Sequence, residues 1–378
     1  MDTPTLNIIT KKLDLPRVDN GTFECIIDTD PDFSFLIRYL FETRKNCKKY
    51  LLIDDILKSR YDFLIREFKN AGTVKIIYAS STETFKSFSQ AENIMNEILH
   101  TYPSKEDIIV SIGGGVVLNM GGFIAGLMLR GMNFIHVPTT LSSQTDVFLG
   151  GKQAVNFLGF KNQIGFFRDP ELCYINSNFL LSIPVKTFKH QMVEGLKLCL
   201  TCDETIFWNL YNLISTTQEI AQLDLASLIE QFIQLKAPLV REDPYENNIG
   251  LCNVYGHTLG HAIEMASDGN MSHCEAVGLG MLLASKLALK MGIGNSKIVD
   301  IHKILLDKLE IDAYIPKAIS IDDIFHHFKH DKKISQGRIP FVFISEIGKI
   351  STNGTKYFHL AHESQIKETI MQNYQHGL

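Results

Sequence analysis

The sequence predicts an α/β fold in two parts, a parallel-sheet domain over residues 1–183 followed by a mainly α-helical domain over residues 184–378. Three observations predict it. Short β-rich runs alternate with helical patterns in the first half, which implies parallel strands joined by crossover helices. A triple glycine closes one of these runs and opens a helix of small residues. After Pro184 glycine clusters thin out and long helical periodicities dominate.

Residues 50–53 are an apolar run that stops at Asp54, and 74–78 and 107–112 repeat the pattern; such short bounded runs read as buried strands. Helical spacing of apolar residues fills 33–44 and 87–99. Residues 116–129 continue from the triple glycine as a helix, 134–137 form a strand ended by Pro138-Thr139-Thr140, and 173–175 complete this half. Residues 150–162, with Gly150, Gly151 and Gly159, read as loop. Helices follow at 185–200, 203–215, 224–240, 256–265 and 276–291. A strand pair at 339–344 and 350–351 and a closing helix over 364–374 end the chain.

Composition narrows the function. Of 378 residues, 45% are hydrophobic and 21% charged, which excludes a disordered or fibrous chain. The net charge of −5 and the lack of a basic stripe argue against a nucleic-acid binder. No apolar run approaches the ~20 residues that span a bilayer, so no membrane association is expected. The first residues show no signal-peptide pattern. Seven irregularly spaced cysteines suit reduced thiols and a cytoplasmic location.

Three constellations carry chemistry. Gly113-Gly114-Gly115 sits between strand and helix, where backbone N–H groups and a helix N-terminus can cradle a phosphate. It is not the G-x-G-x-x-G dinucleotide fingerprint, and a tight turn without ligand fits the same residues. His257 and His261, at i and i+4, share a helix face, and His273 follows sixteen residues after His257. Two imidazoles plus a carboxylate make a common divalent-metal site; Glu194, one turn before Lys197, can supply the carboxylate. Structural histidines are the alternative. Lys152, Lys161 and Asn162 lie in glycine-containing sequence, and Arg130 precedes Gly131; these suit phosphate oxygens or a solvated loop. The Cys199-x-x-Cys202 pair reads as part of an amphipathic helix rather than a zinc knuckle.

In their order and spacing these pieces resemble the sugar-phosphate cyclases, the dehydroquinate synthase superfamily. The motifs are Gly113-Gly114-Gly115, Arg130-Gly131, Pro138-Thr139-Thr140, Gly150-Gly151-Lys152-x-Ala154-Val155-Asn156, Lys161-Asn162, Glu194-x-x-Lys197, Gly256-His257-Thr258-x-Gly260-His261-Ala262-Ile263-Glu264, His273-x-Glu275 and Asp331-Lys332-Lys333. The resemblance implies a Rossmann-like NAD-binding domain and an α-helical domain that holds one divalent metal, zinc or cobalt. It implies Glu194, His257 and His273 as ligands, with His261 as an acid/base or phosphate contact. It further implies that Glu83, Lys86, Gly114, Gly115, Val116, Asn119, Thr139, Thr140, Asp146, Lys161 and residues 179–182, Phe179 and Ser182 among them, line NAD. Lys152, which also borders NAD, would face a phosphorylated sugar together with Asn162, Lys197, Lys236 and Lys333. Arg130 would reach a neighbouring subunit's site in a homodimer. The implied chemistry is oxidation, phosphate elimination, re-reduction and intramolecular aldol closure.

The departures bear on substrate. Dehydroquinate synthases bind a substrate carboxylate with an arginine fourteen residues after the equivalent of Lys236, where this chain has Gly250. Val254 stands in place of an asparagine and Cys274 in place of a glycine. Asn119, Lys152-Gln153-Ala154-Val155-Asn156, Tyr255-Gly256-His257 and Ser272-His273 look more like the 2-deoxy-scyllo-inosose synthase branch, which cyclises glucose 6-phosphate. Asp331-Lys332-Lys333 looks more like dehydroquinate synthase. Dehydroquinate synthase, a sedoheptulose 7-phosphate cyclase and, in another class, a metal-dependent polyol dehydrogenase are the alternatives.

Overall fold

The structure, a computed structural model, describes residues 8–70, 74–158, 160–216, 219–330 and 338–374. The chain runs through β1 (Thr10–Pro16), β2 (Thr22–Asp28), α1 (Ser34–Arg38), β3 (Lys49–Asp54), α2 (Asp62–Asn70) and β4 (Val74–Ala79). There follow α3 (Phe88–Leu99), β5 (Ile108–Gly113), α4 (Gly115–Leu127), β6 (Asn133–Pro138), β7 (Lys152–Phe157), β8 (Phe160–Phe167) and β9 (Leu172–Asn176). The second half holds α5 (Val185–Cys202), α6 (Glu204–Thr216), α7 (Leu225–Glu242), α8 (His257–Ala266), α9 (His273–Lys290), α10 (Ser296–Lys308) and α11 (Ile321–His330). The short strands β10 (Arg338–Phe341), β11 (Ile344–Glu346), β12 (Lys349–Ile350) and β13 (His359–His362) precede the last helix, α12 (Glu363–Met371).

Two compact units divide the chain: Met1–Ile183 with Asp224–Arg241, and Pro184–Leu223 with Glu242–Leu378. The sequence reading counted residues 224–240 with the helical domain. In the structure α7 goes with the sheet unit because two of its side chains anchor there: Lys236 Nζ donates to Asp146, and Glu230 pairs with Lys11.

The sheet unit is built on seven strands in the order β1-β2-β9-β6-β5-β3-β4, parallel apart from β1. Its strands alternate apolar residues to both faces. Leu51, Ile53, Val110 and Ile112 pack under α1 and α2 with Phe33, Leu36, Leu64 and Phe68. Tyr50, Leu52, Ile109 and Phe134 pack against α3 and α4 with Ile94, Ile98, Val117 and Phe123. Burial on both faces explains why these strands read as continuous apolar runs. Full burial of each such side chain stabilises by about 1.5–3 kcal/mol.

The structure differs from expectation where glycine or polar residues hide regular structure. Of the stretch 150–162, read as loop, residues 152–157 and 160–162 lie on the strands of the antiparallel hairpin β7–β8, with Gln153 and Val155 buried on alternate positions. Gly165 faces Ala154 across the hairpin, where a Cβ would meet the Ala154 Cβ at 2.6 Å, so its glycine is a packing residue rather than a strand breaker. The segment expected as one helix over 33–44 is α1 followed by a wider π-turn at Tyr39–Thr43; Tyr39 and Arg44, on either side of that turn, both bind the Glu171 carboxylate. The helix expected over 116–129 ends at Leu127. Leu129, Arg130 and Gly131 then adopt φ values of 51°, 62° and 113°. The hairpin β1–β2 and helices α10 and α11 were not anticipated, and residues 339–344 and 350–351 are split between two small sheets, β10–β13 and β11–β12.

Candidate active site

In the helical unit, α8 and α9 are drawn together by glycines. A Cβ on Gly280 would lie 2.1 Å from Gly256 O, and one on Gly260 would lie 2.9 Å from Ala276 O, so only glycine allows this approach. Gly256 enters α8 at φ +78°, open to glycine at little cost. Ser272 caps α9 and forms a capping box with Glu275, which sets His273 in the first turn. The rings of His257, His261 and His273 consequently cluster, with centroids 5.0–5.5 Å apart. Their ligand nitrogens lie within 4.8 Å of one another.

Glu194 and Lys197 reach this cluster from one face of α5, and both are almost fully buried. Lys197 Nζ donates to Glu194 Oε2 at 2.5 Å. Glu194 Oε1 lies 3.7 Å from His257 Nε2 and 3.2 Å from His273 Nε2. Among the described residues this oxygen is buried without a hydrogen-bond partner. The far nitrogens are occupied: His257 Nδ1 is bonded to Tyr255 O at 3.2 Å, and His273 Nδ1 to Glu264 Oε2 at 3.1 Å. Both Nε2 atoms are thus turned toward the unpartnered carboxylate oxygen. This donor set, one carboxylate and imidazoles whose second nitrogens are fixed, fits a divalent cation of the zinc or cobalt kind. His273 keeps 42% of its side-chain surface exposed, which leaves an open side for a ligand.

Electrostatics separate the two histidines. Burial and the Lys197 ammonium hold His257 well below its ordinary pKa, so it is neutral. Burial also pulls His273 down, but the neighbouring carboxylates of Glu194 and Glu264 outweigh it and raise it to about 10. The Glu194 carboxyl, despite burial, is held well below its usual range by Lys197 and the histidines.

The sheet unit carries most of the other expected residues, and those of the glycine turn and of Thr139-Thr140 lie at the C-terminal ends of β5 and β6. Gly114 caps α4, and a Cβ there would lie 3.3 Å from Thr140 Cγ2; Gly115 borders Val147. Thr139 N donates to Gly113 O at 3.0 Å, which ties the two strand ends together. Val116 follows in the first turn of α4, and Asn119, one turn on, is buried. Asp146 and Lys236 form an ion pair at 2.9 Å, so the residue expected on the sugar meets one expected on NAD. Phe179 is buried and accepts a bond from Ser182 Oγ at 2.6 Å. Glu83 and Lys86 meet the hairpin through Asn156 and Asn162. Lys152 and Lys161 lie on β7 and β8. Arg130 is exposed beyond the far end of α4, away from its glycine turn. Lys333, with Asp331 and Lys332, lies outside the described residues. Glu264, Tyr255 and Asn156 are contacts that the sequence reading assigned no role.

Residues 76–190 match the family of 3-dehydroquinate synthase N-terminal domains and residues 191–334 that of its C-terminal domains. The chain is 31% identical over 316 residues to 3-dehydroquinate synthase of Rippkaea orientalis, covering 82% of this chain and 86% of that one. It is 31% identical over 342 residues to 2-deoxy-scyllo-inosose synthase of Niallia circulans, covering 87% and 91%. A crystal structure of 2-deoxy-scyllo-inosose synthase complexed with carbaglucose-6-phosphate, NAD+ and Co2+ aligns with a TM-score of 0.81 at 27% identity, covering 97% of this chain and 100% of that one. The chain belongs to the dehydroquinate synthase family, within the sugar-phosphate cyclases. Among the described residues no helix is long and apolar enough to cross a membrane.

Proposed function

We propose that this enzyme converts glucose 6-phosphate to 2-deoxy-scyllo-inosose and inorganic phosphate, as a phosphate-eliminating lyase that uses NAD and one zinc or cobalt ion. The observation that carries the substrate choice is Gly250. A Cβ there would lie 2.6 Å from Asp243 O and 2.9 Å from Asp243 Oδ2. Asp243 is held in turn by backbone N–H groups of Asn247, Asn248 and Gly250. The position where a dehydroquinate synthase carries its carboxylate-binding arginine therefore has no room for any side chain, which supports a substrate without a carboxylate. The inosose synthase likeness points the same way.

Glu194, His257 and His273 hold the cation, and residues around the β5–α4 turn, with Glu83, Lys86, Thr139, Thr140, Asp146, Lys161, Phe179 and Ser182, hold the nucleotide. When bound, NAD supplies a reversible hydride acceptor and the cation Lewis acidity. The chain's own groups do the rest. Lys152, Asn162, Lys197, Lys236 and Lys333 bind the sugar phosphate and stabilise the phosphate as it leaves. His261, beside both ligand histidines, moves protons at the reacting oxygens. The sugar phosphate yields only carbocycle and phosphate, with no net change in NAD. The enzyme acts as a homodimer in which Arg130 serves the partner's site; its exposure supports this. Seven free cysteines support a reducing cytoplasmic setting.

Purified protein with NAD and Co2+ is expected to release phosphate from glucose 6-phosphate without lasting NADH absorbance. Release from a heptulosonate 7-phosphate or sedoheptulose 7-phosphate instead would overturn the substrate assignment, and net NADH without phosphate would indicate a dehydrogenase. Glu194→Ala and His257→Ala are expected to lose both bound metal and turnover; retention of both in either variant refutes the ligand set.

A further inference from the structure

Asn156, near the end of β7, bonds in two directions through one amide. Its Nδ2 donates to Glu83 Oε1 at 2.8 Å and to Glu83 O at 3.3 Å. Its Oδ1 accepts from the backbone N–H of Asn162 at 2.9 Å. Its own N–H donates to Lys86 O at 2.8 Å, and Ser87 bridges to it in parallel register. Buried Lys86 closes the circuit by donating from Nζ to Asn162 Oδ1 at 2.5 Å.

Three separate stretches of chain thus meet at one side chain: the turn at Glu83–Phe85, β7 and β8. Asn162 sits at φ +53°, a conformation that costs free energy away from glycine and persists when its surroundings hold it. The bonds from Asn156 and Lys86 grip it at backbone and side chain. An amide is suited to this post because it donates to a carboxylate while it accepts from an N–H.

We propose that Asn156 is a positioning residue that joins the NAD-side residues Glu83 and Lys86 to the phosphate-side residue Asn162, so that one amide orients both binding elements. This rests on the roles proposed above for Glu83, Lys86 and Asn162. Asn156→Asp keeps an acceptor for the Asn162 N–H but sets a second carboxylate against Glu83. Asn156→Ala removes the side-chain bonds on both sides.

The test measures calorimetric Kd values for NAD and for inorganic phosphate, the shared leaving group, in the Co2+-loaded protein. Asn156→Asp is expected to weaken NAD by about tenfold and leave phosphate within about twofold, because hydrogen bonding is lost on the Glu83 side only. Asn156→Ala is expected to weaken both by about tenfold. Glu83→Ala should weaken NAD alone and Asn162→Ala phosphate alone; if these controls move neither constant, the underlying role assignments fail. If the controls behave and Asn156→Ala spares either constant, or Asn156→Asp weakens both equally, the positioning role is refuted. Should Asn156→Ala not fold, the Asn156→Asp split decides alone.

Discussion

A histidine ligand is only as good as the group behind it, and the two histidines proposed as ligands are backed differently. His257 leans on a backbone carbonyl, whereas His273 leans on the Glu264 carboxylate. A carboxylate behind the ring fixes the tautomer and raises ligand basicity, and its removal generally costs 10–100-fold in metal affinity. Glu264→Ala is expected to weaken Co2+ binding to the apo-protein by about that factor, with Glu264→Gln intermediate because its amide oxygen still orients the ring without the charge. Competition with a chromophoric chelator measures it, and equal affinities in wild type and both variants would sink the idea. The cluster itself was legible because His257 and His261 repeat at helical spacing, His273 follows closely and Glu194 precedes Lys197 by one turn. Glu264 and Asn156 were passed over because their significance is a partner nine residues away, and others across two chain segments, which no local pattern shows.

At the scale of elements, close glycine contacts decide what the site can become. The turn from Asp243 to Gly250 is locked by one carboxylate that takes three backbone N–H groups. Gly250→Arg would drive a Cβ into the Asp243 carbonyl. It is expected to lower the thermal midpoint, by destabilisation of roughly 1–3 kcal/mol, without conferring turnover of a carboxylate-bearing substrate. A stable variant that gains that activity would show that the turn, not the substrate, had been misjudged. The central strands were legible because burial on both faces left runs such as Tyr50 to Ile53 with no polar interruption. The β7–β8 hairpin was not, because Gly150, Gly151 and Gly159 read as loop punctuation, while Gly151 and Gly165 serve the fold as close contacts. The hairpin β1–β2 mixes lysine and aspartate into its alternation, and its outer strand is half exposed, so its apolar signal is weak.

At the scale of the whole molecule, each unit carries a histidine sealed away from water. His136 lies in the sheet unit facing Gln153, where burial pushes its pKa down to about 3. His302 lies in the helical unit, bonded to Tyr255 and to Ile298 O, and burial pushes it down to about 4. An unfolded chain protonates both near their ordinary value of 6.5, so below that pH the unfolded state binds protons that the folded state refuses. The stability these two rings govern is therefore full above pH 6.5 and falls with acidification toward pH 4, by about 1.4 kcal/mol per pH unit for each histidine. Thermal midpoints recorded from pH 7 to pH 4.5 should drop steadily in the wild type. The slope should be shallower in His302→Gln and His136→Gln, whatever their stability at pH 7, because glutamine takes up no proton. Parallel slopes in all three proteins would mean that these rings open to water before the chain unfolds.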